Sequence, residues 1–130
     1  MSSKSDISNH AIRIFLTRVG NYYDKARGFE PFIPNANQKE ELLTYFDYEC
    51  CYCGSEIKIT TLSKDHLVPI NKHSMGLHAW GNIVPSCSDC NKSKHQKEWE
   101  EFIKEKCEGK VLNNRKRKIQ SFIKLKKYNP

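Results

Sequence analysis

Four of the six cysteines stand in two Cys-x-x-Cys pairs, Cys50 with Cys53 and Cys87 with Cys90. A Cys-x-x-Cys turn directs both sulfur atoms at one ion, and Gly54 after the first pair permits the tight turn that this requires. Two pairs supply four thiolates, the set that tetrahedral Zn²⁺ prefers, whereas a single pair could equally be a redox dithiol. We therefore predict one structural Zn²⁺ per chain, held by protein ligands alone.

The segment between the two pairs is longer than in an ordinary zinc ribbon and has room for a hairpin and its loop. A zinc ion would then join the two ends of that hairpin. Cys51 could replace Cys50 as a ligand only with a different turn geometry. Cys107 has no partner in the pattern, and we interpret it as a small residue on a helix.

An acidic residue and a histidine stand side by side within this segment, as Asp65-His66. The Asp65 carboxylate is a hard oxygen ligand suited to Mg²⁺ or Mn²⁺, and the His66 imidazole can take a proton from water near neutral pH. Phosphodiester hydrolysis needs an activated water and a cation on the phosphate, and the pair could supply both. An Asp-His pair can also be an ordinary strand end, but its position between the cysteine pairs favours the catalytic interpretation.

Four sequence elements in a fixed order resemble the HNH endonucleases that carry a zinc clamp. They are Cys-x-x-Cys-Gly, Asp-His-x-x-Pro, Gly-Asn-Ile-Val and Cys-x-x-Cys-Asn-x-x-Lys. The resemblance covers residues 46–104 and does not extend to residues 1–45 or 105–130. It implies an α+β fold with a ββα-metal core and two zinc knuckles. We expect N-terminal and C-terminal helices to flank this core in a single compact domain.

The resemblance also implies a role for each polar residue of the core. His66 is the general base, Asp65 is a ligand of the catalytic metal, and Asn82 holds the loop and orients the histidine. Asn91 faces Asp65 across the hairpin and completes the metal site. Because asparagine stands where the family's name has histidine, Mg²⁺ or Mn²⁺ is favoured over zinc there. The implied products carry 5′-phosphate and 3′-hydroxyl ends.

The helix that begins at Asn91 carries two further candidates. His95 lies four residues on, which would bring it to the same helical face as an additional metal ligand or, alternatively, pack it toward Trp99. Lys94 is expected to contact nucleic acid. Two loop histidines are expected to be solvated rather than to contact DNA: His73 and His78.

The surrounding elements follow from hydrophobic periodicity. Helical spacing predicts one helix over residues 8–25, with one buried face formed by Ile12, Phe15, Leu16 and Val19. It predicts a second helix that opens at an Asn37–Glu40 capping box. The pattern then predicts a strand, a loop, a short second strand and a helix, in this order: residues 57–61, 71–81, 82–84 and from Asn91 onward. A last amphipathic helix carries Ile119, Phe122 and Ile123 on one face.

The positive charge of the chain is concentrated at its C-terminal end. The formal net charge is +7, and the eight Lys and Arg residues beyond Gly109 have no Asp or Glu among them, so the rest of the chain carries 7 − 8 = −1. A basic segment favours a polyanion, although a solvated helix face is the alternative. We expect phosphate contacts from one run of basic residues: Arg115, Lys116, Arg117 and Lys118.

The sequence has no run of about 18 apolar residues, and residues 1–6 are not followed by the apolar core of a secretory signal. We therefore predict a cytoplasmic protein without membrane contact. The favoured function is a DNA endonuclease acting on double strands. The alternatives are a non-catalytic zinc module that binds nucleic acid, and an RNase or toxin nuclease with the same site. One site cuts one strand, so a double-strand break would need a homodimer or two visits.

Overall fold

A computed structural model describes the backbone of residues 4–130 and the side chains from residue 8 onward. The expectation that residues 1–6 are no secretory signal lies largely outside the described residues. The described part forms five helices and one two-stranded antiparallel sheet in the order α1 (Lys4–Ala26), α2 (Ala36–Tyr45), β1 (Ser63–His66), β2 (Ile83–Ser86), α3 (Ser88–Lys94), α4 (Trp99–Lys106) and α5 (Gly109–Leu125). The predicted mixture of helices and a small sheet is confirmed.

Helix α1 packs one side against the loop that precedes β2. Leu16 is buried with Ile70, Leu77 and Ala79, and Ile12 and Val19 lie half-buried beside them. Phe15, which the helical spacing also placed on the buried face, is 53% exposed. The buried face of α1 is therefore narrower than the sequence pattern predicts.

The C-terminal end of α1 is joined to the rest of the protein by a buried carboxylate. Asp24 is fully buried and accepts hydrogen bonds from the backbone N–H groups of Trp80 and Phe32 and from the guanidinium of Arg27. Arg27 in turn donates to the carbonyl oxygens of Trp80 and Lys126. The network links α1 with segments about 50 and 100 residues away in the chain, and no motif in the sequence indicates it.

Helix α2 begins two residues earlier than its predicted capping box. The Asn35 side chain, rather than that of Asn37, accepts from the backbone N–H of Gln38 at 2.9 Å. Such a cap contributes about 1 kcal/mol by satisfying a donor that the first helical turn leaves free. Leu42 and Leu43 of this helix are fully buried in the main core.

The sheet lies later in the chain than the first predicted strand. Ile57 is buried but Ile59 is 41% exposed, and a turn closed by Thr61 and Lys58 interrupts the alternation, so residues 57–61 form no strand. Strand β1 begins at Ser63 instead and pairs with β2, with Asp65 opposite Val84 and His66 opposite Ile83.

The helix predicted from Asn91 onward is divided in two. Helix α3 ends at Lys94 because His95 adopts a left-handed backbone conformation with φ of 51°, and α4 starts at Trp99. Helix α3 packs against β1, so strand, strand and helix form one ββα unit.

Helix α5 closes the main core from the C-terminal side, as its apolar face predicts. Ile119 and Phe122 are at most 1% exposed, and Phe122 stacks against Tyr45 and Phe46. Burial of each large apolar side chain contributes about 1.5–3 kcal/mol. Among residues 4–130, no helix is long and apolar enough to cross a membrane.

Candidate metal and catalytic site

The four predicted zinc ligands converge at the end of the ββα unit. The sulfur atoms of Cys50, Cys53, Cys87 and Cys90 all lie within 4.8 Å of one another. In a tetrahedral site with Zn–S bonds of about 2.3 Å, neighbouring sulfurs are about 3.8 Å apart, and the sulfurs of Cys53 and Cys87 are 3.7 Å apart. The cluster is consistent with zinc knuckles, and Cys51, although adjacent, is not part of it.

The thiols of the cluster differ in how easily they ionise. Burial opposes the ionisation of Cys53, but hydrogen bonds with Ser55, Cys50 and Cys87 outweigh it and lower the pKa of Cys53 to about 7. Burial raises the pKa of Cys50, and the neighbouring Cys53 thiol raises it further. The pKa of Cys90 is also raised by burial and by Cys50. Four thiolates this close need a cation to offset their repulsion, and this is the chemistry that a divalent metal with thiolate ligands supplies.

Arg115 of α5 binds the backbone of the first Cys-x-x-Cys pair through hydrogen bonds. Its guanidinium donates to the carbonyl oxygens of Tyr52 at 2.8 Å and of Cys53 at 3.1 Å. Gly54 makes this approach feasible, since a Cβ at Gly54 would collide with the guanidinium. Arg115 thus has a role in the fold, and Lys118 of the same helix forms an ion pair with Asp47.

Asp65 lies in the interior of the ββα unit, between a cation and a phenol. The Lys94 ammonium is 3.2 Å from Oδ2 of Asp65, and the Tyr52 hydroxyl donates to the same oxygen. Lys94 also donates to the carbonyl oxygen of His66 at 2.7 Å. Burial raises the pKa of Asp65, whereas Lys94 and Tyr52 lower it. Lys94 is 1% exposed, so its ammonium contacts Asp65 and His66 inside the protein and not the solvent.

His66 is paired with a second histidine. Its Nε2 lies 3.0 Å from Nδ1 of His78, so that one of the two nitrogens carries the proton that the other accepts. Burial lowers the pKa of His66 to about 3, and the charges of His78 and Arg13 act in the same direction. The pKa of His78 is also lowered by burial and by Lys64. Both rings are therefore neutral at neutral pH.

Asn82 holds the loop that separates the two strands. Its amide oxygen accepts from the backbone N–H of Val68 at 2.8 Å, and its nitrogen donates to the carbonyl oxygens of Val68 and Leu77. The side chain is fully buried, so a shorter or apolar replacement would leave three backbone groups without a partner. The His66 ring has its described hydrogen bond to His78 rather than to Asn82.

This ββα unit is also recognised by comparison with protein families. Residues 50–97 match the family model described as HNH endonuclease. Over these residues the chain is similar to HNH endonucleases. The comparison with curated proteins finds no match.

The matched segment begins at the first Cys-x-x-Cys pair and extends just past α3. It contains both cysteine pairs and the three polar positions Asp65, His66 and Asn82. Helices α1, α2, α4 and α5 lie outside the matched segment. The resemblance predicted from the motifs is confirmed, and an HNH domain indicates nuclease or nucleic-acid chemistry.

The two remaining candidates of the HNH domain lie at the ends of α3. Asn91 is half-buried, and its side-chain amide has no hydrogen bond among those described from residue 8 onward. His95 is exposed and follows the last residue of α3. Because the left-handed backbone at His95 ends α3, helical spacing does not by itself support the predicted shared face of His95 and Asn91. A metal-ligand role for His95 stays a prediction without that support.

His78 is the residue of the site that sequence reasoning missed. It was expected to be solvated, yet it is half-buried against His66 and Phe32. No periodicity or spacing connects it with His66, which is twelve residues earlier in the chain. Only the folding of the 71–81 loop over β1 brings the two rings together.

Proposed function

We propose that the protein is a divalent-metal-dependent endonuclease that hydrolyses phosphodiester bonds in DNA, with His66 as the general base. One observation carries the proposal: within an HNH domain, the His66 ring is neutral and held by a second histidine. A neutral imidazole is the form that can accept a proton from water.

The pKa of His66 suits this role once an anionic substrate arrives. Without substrate, burial and the cations Arg13, Lys94 and Lys64 keep the ring neutral. A phosphodiester beside these cations would offset their charge and raise the pKa of His66, because an anion favours the protonated imidazole. The base would thus be unprotonated before substrate binds and would become stronger in its presence.

Two oxygen-bearing side chains are the candidates for the catalytic cation. Asp65 and Asn91 would hold Mg²⁺ or Mn²⁺, which prefer carboxylate and amide oxygens. When bound, the cation would supply electrophilic stabilisation of the phosphate. The donor types fit, but Lys94 already neutralises Asp65 at 3.2 Å. We therefore propose that the cation competes with Lys94 for this carboxylate.

The other residues of the site would position the base rather than react. Asn82 fixes the loop that carries His78, and His78 restrains the His66 ring. A water on the free side of the ring would lose its proton to His66 and attack phosphorus in line. The expected products carry 5′-phosphate and 3′-hydroxyl ends, as in the family that the motifs resemble.

The decisive experiment compares wild type with His66→Ala on plasmid, linear duplex, single-stranded DNA and RNA, with Mg²⁺, with Mn²⁺ or without added metal. Loss of a general base typically costs about 10²–10⁴-fold in rate. The matched control is His73→Ala, because His73 is exposed in the loop between β1 and β2 and its side chain has no described partner. Cleavage that persists in His66→Ala would contradict the assignment, and cleavage of RNA alone would identify an RNase.

A non-catalytic zinc module that binds nucleic acid is the second candidate, and the buried ion pair of Asp65 with Lys94 favours it. A carboxylate already neutralised by a buried lysine needs no metal. The two candidates separate in one measurement: Mn²⁺ binding to wild type, but not to Asp65→Asn, supports the nuclease. Nucleic-acid binding without cleavage under any metal condition supports the module.

A further inference from the structure

A pocket of about 510 Å³ opens beside His66, and its far wall is helix α1. The lining includes Arg13 and Arg18 from the helix, Lys64 from β1, and the two histidines His66 and His78. No acidic side chain lines it among the residues whose side chains are described. The HNH family match does not include α1.

The cations of this pocket have no acidic partner among the side chains described from residue 8 onward. None of the ion pairs between described side chains involves Arg13, Arg18 or Lys64. Burial and the charge of Lys39 lower the pKa of Lys64. Arg13 and Lys64 both lower the pKa of the histidines at the pocket. Several positive charges thus converge on the space in front of His66, and no described acidic side chain lies among them.

Helix α1 is held firmly enough to act as a wall of this pocket. The backbone N–H of His78 donates to the carbonyl oxygen of Leu16, and a Cβ at Gly20 would collide with the backbone of His78. The helix and the histidine loop therefore approach at backbone distance. The Asp24 network fixes the far end of the same helix.

We propose that this pocket binds a phosphate of the nucleic-acid backbone next to the one that is cleaved, with Arg13, Arg18 and Lys64 as its cationic contacts. The inference rests on the proposed function, because it takes His66 to face the scissile phosphate. It gives the N-terminal helix a role in substrate binding. Backbone phosphates carry no base identity, so the pocket would set affinity and register rather than sequence choice.

The test measures the binding of a fluorescent 20-base-pair duplex by anisotropy at several salt concentrations, without added Mg²⁺ or Mn²⁺. Each lost phosphate contact lowers the slope of log K against log salt by about 0.9. We expect this decrease in Arg13→Gln and again in Lys64→Gln. Lys25→Gln is the control, because it removes one charge from the same helix about 18 Å farther along.

Folding is checked by circular dichroism and zinc content for every variant. Arg13 and Arg18 are exposed, so the double variant Arg13→Gln/Arg18→Gln provides the test even if Lys64→Gln does not fold. An unchanged slope in the folded double variant, or an equal decrease in Lys25→Gln, would overturn the proposal.

The outcome is separable from that of the proposed function. Wild type that binds through Arg13 but cleaves nothing would support the pocket and refute the nuclease. Wild type that cleaves, with slopes unaffected by Arg13 and Lys64, would support the nuclease and refute the pocket.

Discussion

The ammonium of Lys94 lies 3.2 Å from the carboxylate of Asp65, and both side chains are at least nine-tenths buried. The pair joins α3 to β1 across the candidate site. Lys94 also donates to the carbonyl oxygen of His66, so one side chain contacts both residues of the Asp-His motif.

Removal of the Lys94 charge should destabilise the fold. Lys94→Met leaves the Asp65 carboxylate buried without its cation, and loss of one partner from a buried pair costs about 3–5 kcal/mol. Urea unfolding measures the difference. Lys97→Met is the matched control, because the Lys97–Glu105 pair is about half exposed and such pairs contribute about 0–1 kcal/mol. Equal stability of the two variants would contradict the buried-pair interpretation.

Loss of one knuckle thiol should remove the zinc. Cys87→Ser is expected to lose the metal and to unfold the centre of the domain, since metal binding and folding are coupled. Elemental analysis and circular dichroism measure the two effects, with one Zn²⁺ per chain expected for wild type. Cys107→Ser, outside the cluster, should retain both zinc and fold. Zinc-free wild type with a native spectrum would disprove the site.

The lowered pKa of the half-buried His66 ring predicts a loss of stability on acidification. The pKa of His66 is about 3 in the folded protein and about 6.5 in the unfolded chain. Between these two pH values the unfolded chain binds a proton at His66 and the folded protein does not. Stability should therefore decrease as pH falls from 6.5 toward 3, by at most about 1.4 kcal/mol per pH unit from this residue. NMR titration of the His66 ring should show no protonation above pH 5. A midpoint near 6.5 would contradict the burial of the ring.

His78 should act as a positioning residue for His66. His78→Ala leaves the His66 ring without its partner, and misplacement of a reacting group by about 1 Å can cost 10²-fold in rate. The variant should also change the chemical shifts of the His66 ring, which a loss of stability alone would not do below the unfolding temperature. His73→Ala should alter neither the rate nor these shifts. A fully active His78→Ala protein would show that His78 does not position His66.

The basic residues of α5 should fall into two classes. Arg115→Ala should reduce stability, because Arg115 fastens the zinc knuckle. Lys116→Gln/Arg117→Gln should keep the fold and lower the salt slope of DNA binding by up to about 1.8, since neither residue has an ion pair among those described. Deletion of residues 110–130 should unfold the protein, because Ile119 and Phe122 belong to the main core. A folded truncation would contradict the docking role of the helix.

The positions of the cysteine cluster and of the Asp-His pair were predictable because they depend on short sequence spacings. A Cys-x-x-Cys turn brings its two sulfurs together through local backbone geometry, so the sequence predicts the cluster of Cys50, Cys53, Cys87 and Cys90. The adjacent Asp65 and His66 are likewise a local feature, and the order of the motifs predicted the HNH family. The apolar stripe of α5 is a local helical period.

The tertiary structure decided which groups meet across long stretches of chain. The alternation over residues 57–61 predicted a strand, but a turn at Thr61 ends it, and a left-handed residue at His95 divides the last predicted helix. The pairing of His66 with His78 and the wall that α1 forms beside them join segments without a shared pattern. Local propensity acts over a few residues, whereas these contacts arise when the whole chain packs around one core. Periodicity and motif spacing therefore do not predict them.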